Sequence, residues 1–247
     1  MGRCLGSLLH LGEGETKATA RAANFDYFAI ADIDALFGFD LLAHARPRTK
    51  PDMPRYYTET MAATEAEGAQ EHARFRDCLA PMLPVFRQRY RRTVPARERK
   101  GALQIAVHVR RGDVGPDRAD MFTHAAAFAK TIADLTKALK ARGIAYEIAI
   151  FSQGEGNAFD GIEGQLFLDS DPFDTMRRMI DADVLIMSKS CFSYVAALLG
   201  EGLCIFEECD LPAFEGWLLR DATGAIDAAD LAAALDPVAR PPIDRRP

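Results

Sequence analysis

With 247 residues, 49% of them hydrophobic and 27% charged, the chain has an ordinary globular composition and enough apolar material for one large domain or two small ones. Its formal net charge of −6 lacks the basic footprint of a general nucleic-acid binder, and no apolar run approaches the ~20 residues that a membrane helix needs. The five cysteines, Cys4, Cys78, Cys191, Cys204 and Cys209, are odd in number, scattered and without metal-ligand spacing. Together with a short apolar start that has no secretory cleavage site, they read as thiols in a reducing, cytoplasmic setting.

Residues 1–24 are rich in Gly, Ala and Thr and weakly patterned. A strand is expected over 27–31, after which Asp32 caps a short helix through Leu36, a reading preferred to a metal-binding Asp32-x-Asp34 pair. Pro47, Pro51 and Pro54 make 44–54 a linker. Residues 56–90 read as mostly helical, interrupted at Pro81 and Pro84. Between 71 and 100, nine basic residues face three acidic ones, a local balance of +6. That balance suits a solvated helical face or a surface that attracts an anionic partner. A domain boundary is expected between 93 and 101.

The following stretch organises everything after it. In Ile105-Ala106-Val107-His108-Val109, the β-branched residues share one face at period two and predict a buried strand over 105–109. Arg110, Arg111, Gly112 and Asp113 then arrive together at the strand's carboxyl end, where open α/β sheets place their ligands. Two guanidiniums at such a tip suit a diphosphate, since each offers a planar fork of donors to phosphate oxygens. Gly112 lets the backbone turn, and Asp113 is placed to hold one arginine from behind. Taken alone, Arg-Arg-Gly-Asp is equally an ordinary exposed turn.

A loop over 114–120 leads to an amphipathic helix over 123–142, with Phe128, Ile132, Leu135 and Leu139 at helical spacing and Gly143 as the C-cap residue. A strand over 146–151 follows. Strand, helix, Gly and strand make a βαβ unit and imply a parallel sheet. A third, short strand over 166–168 precedes Asp169-Ser170-Asp171-Pro172 and a helix over 173–180. The apolar run that fills 184–187 predicts a strand over 182–187, buried on both faces. It enters a helix over 194–199, closed by Gly200, through Ser188-Lys189-Ser190-Cys191-Phe192-Ser193. Further strands are expected over 203–206 and 217–219, a closing helix over 227–235, and a disordered Pro- and Arg-rich tail over 236–247.

The hydroxyl-rich turn is the second chemical feature. A helix start at the sheet's carboxyl edge offers backbone N–H groups and the positive end of the helix dipole to an anion. Ser190 and Ser193 can add hydroxyl donors, although Ser190 suits a simple N-cap as well. Two potential anion sites at neighbouring strand tips favour a diphosphate ligand. No Gly-x-Ser-x-Gly elbow and no Gly-x-x-x-x-Gly-Lys phosphate loop is present, and His10, His44, His72, His108 and His124 show no metal spacing.

His108-Val109-Arg110-Arg111-Gly112-Asp113 resembles the His-x-Arg-Arg-x-Asp peptide of the α1,2-, α1,6- and protein O-fucosyltransferase superfamily at every fixed position. The Ser190–Ser193 turn is similar to that superfamily's later donor-binding segment, so the resemblance spans roughly residues 102 to 206. It implies an α/β, GT-B-like architecture. Residues 1–95 would form a reduced amino-terminal, acceptor-side region, since 2–6 and 12–14 only echo the superfamily's opening Gly-rich loop. Residues 96–225 would form a Rossmann-like nucleotide-sugar domain, and 226–247 the closing helix and tail.

The activity it implies is inverting, metal-independent transfer of fucose or a related sugar from a GDP-sugar to a hydroxyl acceptor, glycan or other, with no cofactor beyond the donor. Arg110 and Arg111 would take the diphosphate, Arg111 more directly. His108, Asp113, Ser190, Cys191, Phe192 and Ser193 would line the donor site. Asp171, Asp174 and Asp183 are the alternatives for a carboxylate that reads guanine. Asp117, in Val114-Gly115-Pro116-Asp117, resembles the Val-Gly-Thr-Glu of the α1,6 members and would be the base. Two other readings stand beside this one. The first is a non-catalytic relative that binds the GDP-sugar. The second is a Rossmann-like interaction module that docks an acidic partner through 71–100.

Overall fold

The computed structural model describes residues 72–73, 76–77, 79–94, 101–112, 114–118, 121–154, 156–159, 161–209 and 211–238. The expected strand over 27–31, Asp32, Asp34, the 44–54 linker, Asp113 and the tail from 239 lie outside them. The chain divides into two compact units, Met1–Val94 and Pro95–Pro247. In the first, a 3-10 turn, Ala80–Met82, runs into helix α1, Leu83–Thr93. Pro81 and Pro84 stand in the first turns of these two elements, where the missing N–H has no intrahelical partner to lose. Residues 72–73, 76–77 and 79 are helical as well, so the 3-10 turn at Pro81 is a break between helical stretches, as expected.

The second unit is built on a six-stranded sheet with every neighbouring pair parallel. Its strands are β1 (Leu103–His108), β2 (Tyr146–Ser152), β3 (Gln165–Leu168), β4 (Val184–Ile186), β5 (Leu203–Glu207) and β6 (Leu218–Arg220). They lie in the order β3-β2-β1-β4-β5-β6. Helices α2 (Ala125–Ala141), α3 (Pro172–Ile180) and α4 (Cys191–Leu199) fall between strands, and α5 (Ala228–Val238) closes the unit. The six strands expected after residue 95 are all present. The central ones are buried along nearly their whole length, whereas the edge strands expose Leu166 and Leu219.

The order reverses direction at β1. The chain moves outward through β2 and β3, then returns to place β4 on the other side of β1. Right-handed crossovers therefore put helices on opposite faces of the sheet. On one face, Ile105, Val107 and Val109 pack with Phe128, Ile132, Leu135 and Leu139 of α2 and with Leu231 and Leu235 of α5. Each such buried side chain contributes about 1.5–3 kcal/mol. The other face takes α3 and α4, which bury Met176, Met179, Ile180, Tyr194, Ala196 and Ala197. Gly143, at φ +67°, ends α2, with its own N–H on the Lys140 carbonyl and the Ile144 N–H on the Leu139 carbonyl.

Most element boundaries shift by one or two residues from expectation, and three helix ends are informative. Helix α4 begins at Cys191, because Ser190 caps it, and α3 begins at Pro172, capped by Asp171. Helix α5 continues to Val238, into the stretch expected to be disordered. With Leu231 and Leu235 in the core, that helix belongs to the sheet domain rather than to a separate tail.

Candidate functional site

The reversal of strand order sets the carboxyl ends of β1 and β4 side by side, the position where doubly wound sheets bind ligands. Val107 lies opposite Ile186, so the Arg110-Arg111 turn and the Ser188–Ser193 turn meet in register. Arg110 Nη1 donates to the Lys189 carbonyl at 3.1 Å. Ser188 Oγ lies 2.8 Å from His108 Nδ1, and the His108 ring stands 5.4 Å from that of Phe192, tilted by 55°. His108 and Ser188 are both buried, so this contact forms the floor between the two strand tips.

Arg111 folds back over the turn. Its Nη1 donates to the Arg110 carbonyl at 2.7 Å and its Nη2 to the Thr123 carbonyl at 3.0 Å, while its Cζ sits 4.3 Å from the centre of the Phe122 ring. Among the described residues Arg111 forms no ion pair. Desolvation by burial pushes its pKa below the ordinary arginine value. Its charge is thus part-desolvated and, among the described residues, held by neutral acceptors. Gly112 follows at φ +88°, a conformation costly for any residue with a Cβ, and a Cβ there would lie 2.6 Å from Gln153 Oε1.

At the start of α4, Ser190 Oγ accepts from the Phe192 N–H at 3.2 Å. The Ser190 hydroxyl hydrogen is not used in that bond, so Ser190 can cap the helix and still donate outward. Ser193 does not meet its expectation. It is fully buried, and its single hydroxyl hydrogen is shared between the Ser188 and Ser190 carbonyls at 3.2 and 3.3 Å. Its role is to shape the loop. Cys191 and Phe192 are half-buried on the first turn of α4, and the described cysteines, Cys191, Cys204 and Cys209, form no disulfide.

The carboxylates scatter. Asp117 is exposed in the loop after β1, with Oδ1 turned back over Gly115. Asp171 caps α3 at the tip of β3, accepting from the Phe173 and Asp174 N–H groups at 2.9 Å, and Asp174 pairs with Arg178 at 2.7 Å. That tip lies two strands from β1. Asp183 is not brought to the site at all. It precedes β4, at the amino edge of the parallel sheet, where its carboxylate accepts the Gln104 N–H at 2.9 Å.

The structure also brings in residues that sequence reasoning passed over. Phe122, Thr123 and Gln153 contact the arginine turn, and Lys189 turns its ammonium inward to Glu207 Oε1 at 2.9 Å. Glu207 in turn meets Arg220 at 3.2 Å. The serine-rich turn already marked Lys189, but Glu207 and Arg220 close two strands and carry no local signal.

Among the described residues no group of three or more His, Cys, Asp or Glu is arranged to hold a metal ion, and no helix is long and apolar enough to cross a membrane. Fold and site together define an α/β protein with a doubly wound, Rossmann-like parallel sheet and an arginine-lined switch point. No protein-family model matches the chain, and no curated protein matches it.

Proposed function

We propose that the protein is a fucosyltransferase-like glycosyltransferase. It would pass fucose, or a closely related sugar, from a GDP-sugar to a hydroxyl acceptor by inversion and without a metal, on a GT-B-like scaffold whose donor half is the second unit. One observation carries this reading: the Arg110 guanidinium reaches the Lys189 carbonyl, joining the arginine turn to the serine-rich helix start at the switch point. In the reaction the acceptor oxygen attacks the anomeric carbon and the bond to the β-phosphate oxygen breaks. GDP leaves with the bonding electrons, and the acceptor's proton passes to a base, for which Asp117 is the proposed group. Negative charge grows on the diphosphate, so preorganised donors aimed at it lower the barrier. Arg110, Arg111, the Ser190 hydroxyl and the first amides of α4 fill that role, with His108 and Phe192 against the donor's sugar or ribose. Removing one such donor costs about 10²–10³ in rate.

The test is calorimetric titration of GDP into the full chain and into the Arg110→Ala, Arg111→Ala double variant, with GDP release from GDP-fucose followed with and without added glycans. Binding that needs the arginines, with acceptor-dependent GDP release, supports the transferase. Binding without release identifies a non-catalytic GDP-sugar binder. Unchanged GDP affinity in a folded double variant, or no affinity in the wild type, sinks the assignment and leaves an interaction module.

A further inference from the structure

Glu207 ends β5, on the far side of β4 from β1, and its carboxylate is buried. Oε1 takes the Lys189 ammonium at 2.9 Å. Oε2 takes the Thr123 hydroxyl at 3.0 Å and the Arg220 guanidinium at 3.2 Å. Lys189 and Thr123 are also the two residues whose carbonyls accept from Arg110 and Arg111, at 3.1 and 3.0 Å. The side chains that converge on Glu207 therefore belong to the residues whose main chain orients the arginines. Neither residue lies in a helix or strand, so neither is fixed by a ladder of backbone bonds. Arg220 holds the carboxylate from below. Its side chain is fully buried, donates to Thr131 Oγ1 and the Met187 carbonyl at 3.3 Å, and lies 4.6 Å from the centre of the Phe128 ring.

We infer that Glu207 is the positioning residue for both arginines, acting along one branch through Lys189 to Arg110 and along the other through Thr123 to Arg111. A buried carboxylate suits the task because it accepts several charge-assisted bonds at once and is costly to leave unpaired, which locks its donors in place. Its charge faces Lys189 and Arg220, and it reaches Arg110 and Arg111 through the Lys189 and Thr123 carbonyls. The functional weight of this inference rests on the diphosphate role proposed above; the geometry does not.

The experiment is labelling of the full chain with phenylglyoxal, which modifies accessible guanidines, with rates at Arg110 and Arg111 resolved by tandem mass spectrometry. Thr123→Val should speed labelling of Arg111 about fivefold, the equivalent of about 1 kcal/mol of lost hydrogen bonding, and leave Arg110 unchanged. Lys189→Met should do the reverse, and Glu207→Gln should release both. Should Glu207→Gln fail to fold, the two branch variants decide alone. The inference is overturned if a folded branch variant leaves its own arginine's rate unchanged, or if each branch variant speeds both arginines alike, which is general loosening. Protection of the wild-type arginines by GDP tests the functional reading separately. A branch-specific pattern without GDP protection keeps the positioning role and refutes the nucleotide site; GDP protection without the pattern does the opposite.

Discussion

Replacing Arg220 by Met should cost far less stability than replacing Glu207 by Gln, although the two side chains form one buried ion pair. Arg220→Met removes bonds to Glu207, Thr131 and Met187 that are all 3.2–3.3 Å long, together with the ring contact to Phe128. It also removes a buried guanidinium whose Nε has no partner and whose pKa is pushed down, chiefly by desolvation, against the opposing pull of Glu207. Glu207 keeps Lys189 at 2.9 Å and Thr123 at 3.0 Å, so no buried charge is orphaned. A net loss of about 1–2 kcal/mol follows. Glu207→Gln instead leaves Lys189 and Arg220 without the buried carboxylate they share, for a loss of about 3–5 kcal/mol. In the double variant only Lys189 remains charged, so the losses should fall short of additive by about 0.5–3 kcal/mol. Urea unfolding followed by fluorescence measures all three. Trp217 is the chain's single tryptophan, with its ring 5.4 Å from that of Phe206, next to Glu207. Equal losses for the two single variants, or strict additivity, would refute the reasoning.

Three further outcomes are expected. Gly112→Ala, forced to φ +88°, should lose about 1–2 kcal/mol and weaken GDP binding by shifting the main chain after Arg111; unchanged urea midpoint and affinity would contradict this. The Thr223 hydroxyl, foremost, and the Ala225 amide hold the Asp221 carboxyl below its ordinary value of 3.8. Because the folded value is the lower one, the stability that Asp221 contributes is present above about pH 3.8 and is lost as pH falls through the folded value. The melting-temperature gap between wild type and Asp221→Asn should therefore narrow across that window, and a constant gap would count against it. Asp183→Ala should cost about 1 kcal/mol by orphaning the Gln104 N–H and leave GDP affinity untouched; a drop in affinity would return Asp183 to the site.

Most of the sheet could be read from its apolar runs, because the central strands are buried on both faces and tolerate no polar interruption. The Arg110-Arg111 turn and the Ser190 cap were legible for a related reason: Gly, Ser and paired Arg at a strand's end have local conformational and hydrogen-bonding consequences. Strand order was not legible, since nothing local to β4 says that it returns to β1. The fate of Ser193 was hidden too, because a hydroxyl in a helix's first turn can point outward or back to a carbonyl, and packing decides. Asp183 and Asp171 were separable in part, since Asp183 precedes its strand and Asp171 follows one. Only the direction of the strands separates the amino edge, where Asp183 satisfies a backbone amide, from the carboxyl edge, where Asp171 caps a helix.

The treatment of charge around the arginine turn bears on the phosphate role proposed for it. A guanidinium held by a carboxylate is well oriented but largely neutralised, and an incoming phosphate would have to displace its partner. Arg111 is oriented by two carbonyls and a ring face, which fix the plane of its fork without cancelling its charge. The carboxylate that stiffens this arrangement stands one step back, where Lys189 and Arg220 neutralise it. Desolvation by burial lowers the Arg111 pKa, and an anion bound there, as proposed, would supply a counter-charge that no described residue gives.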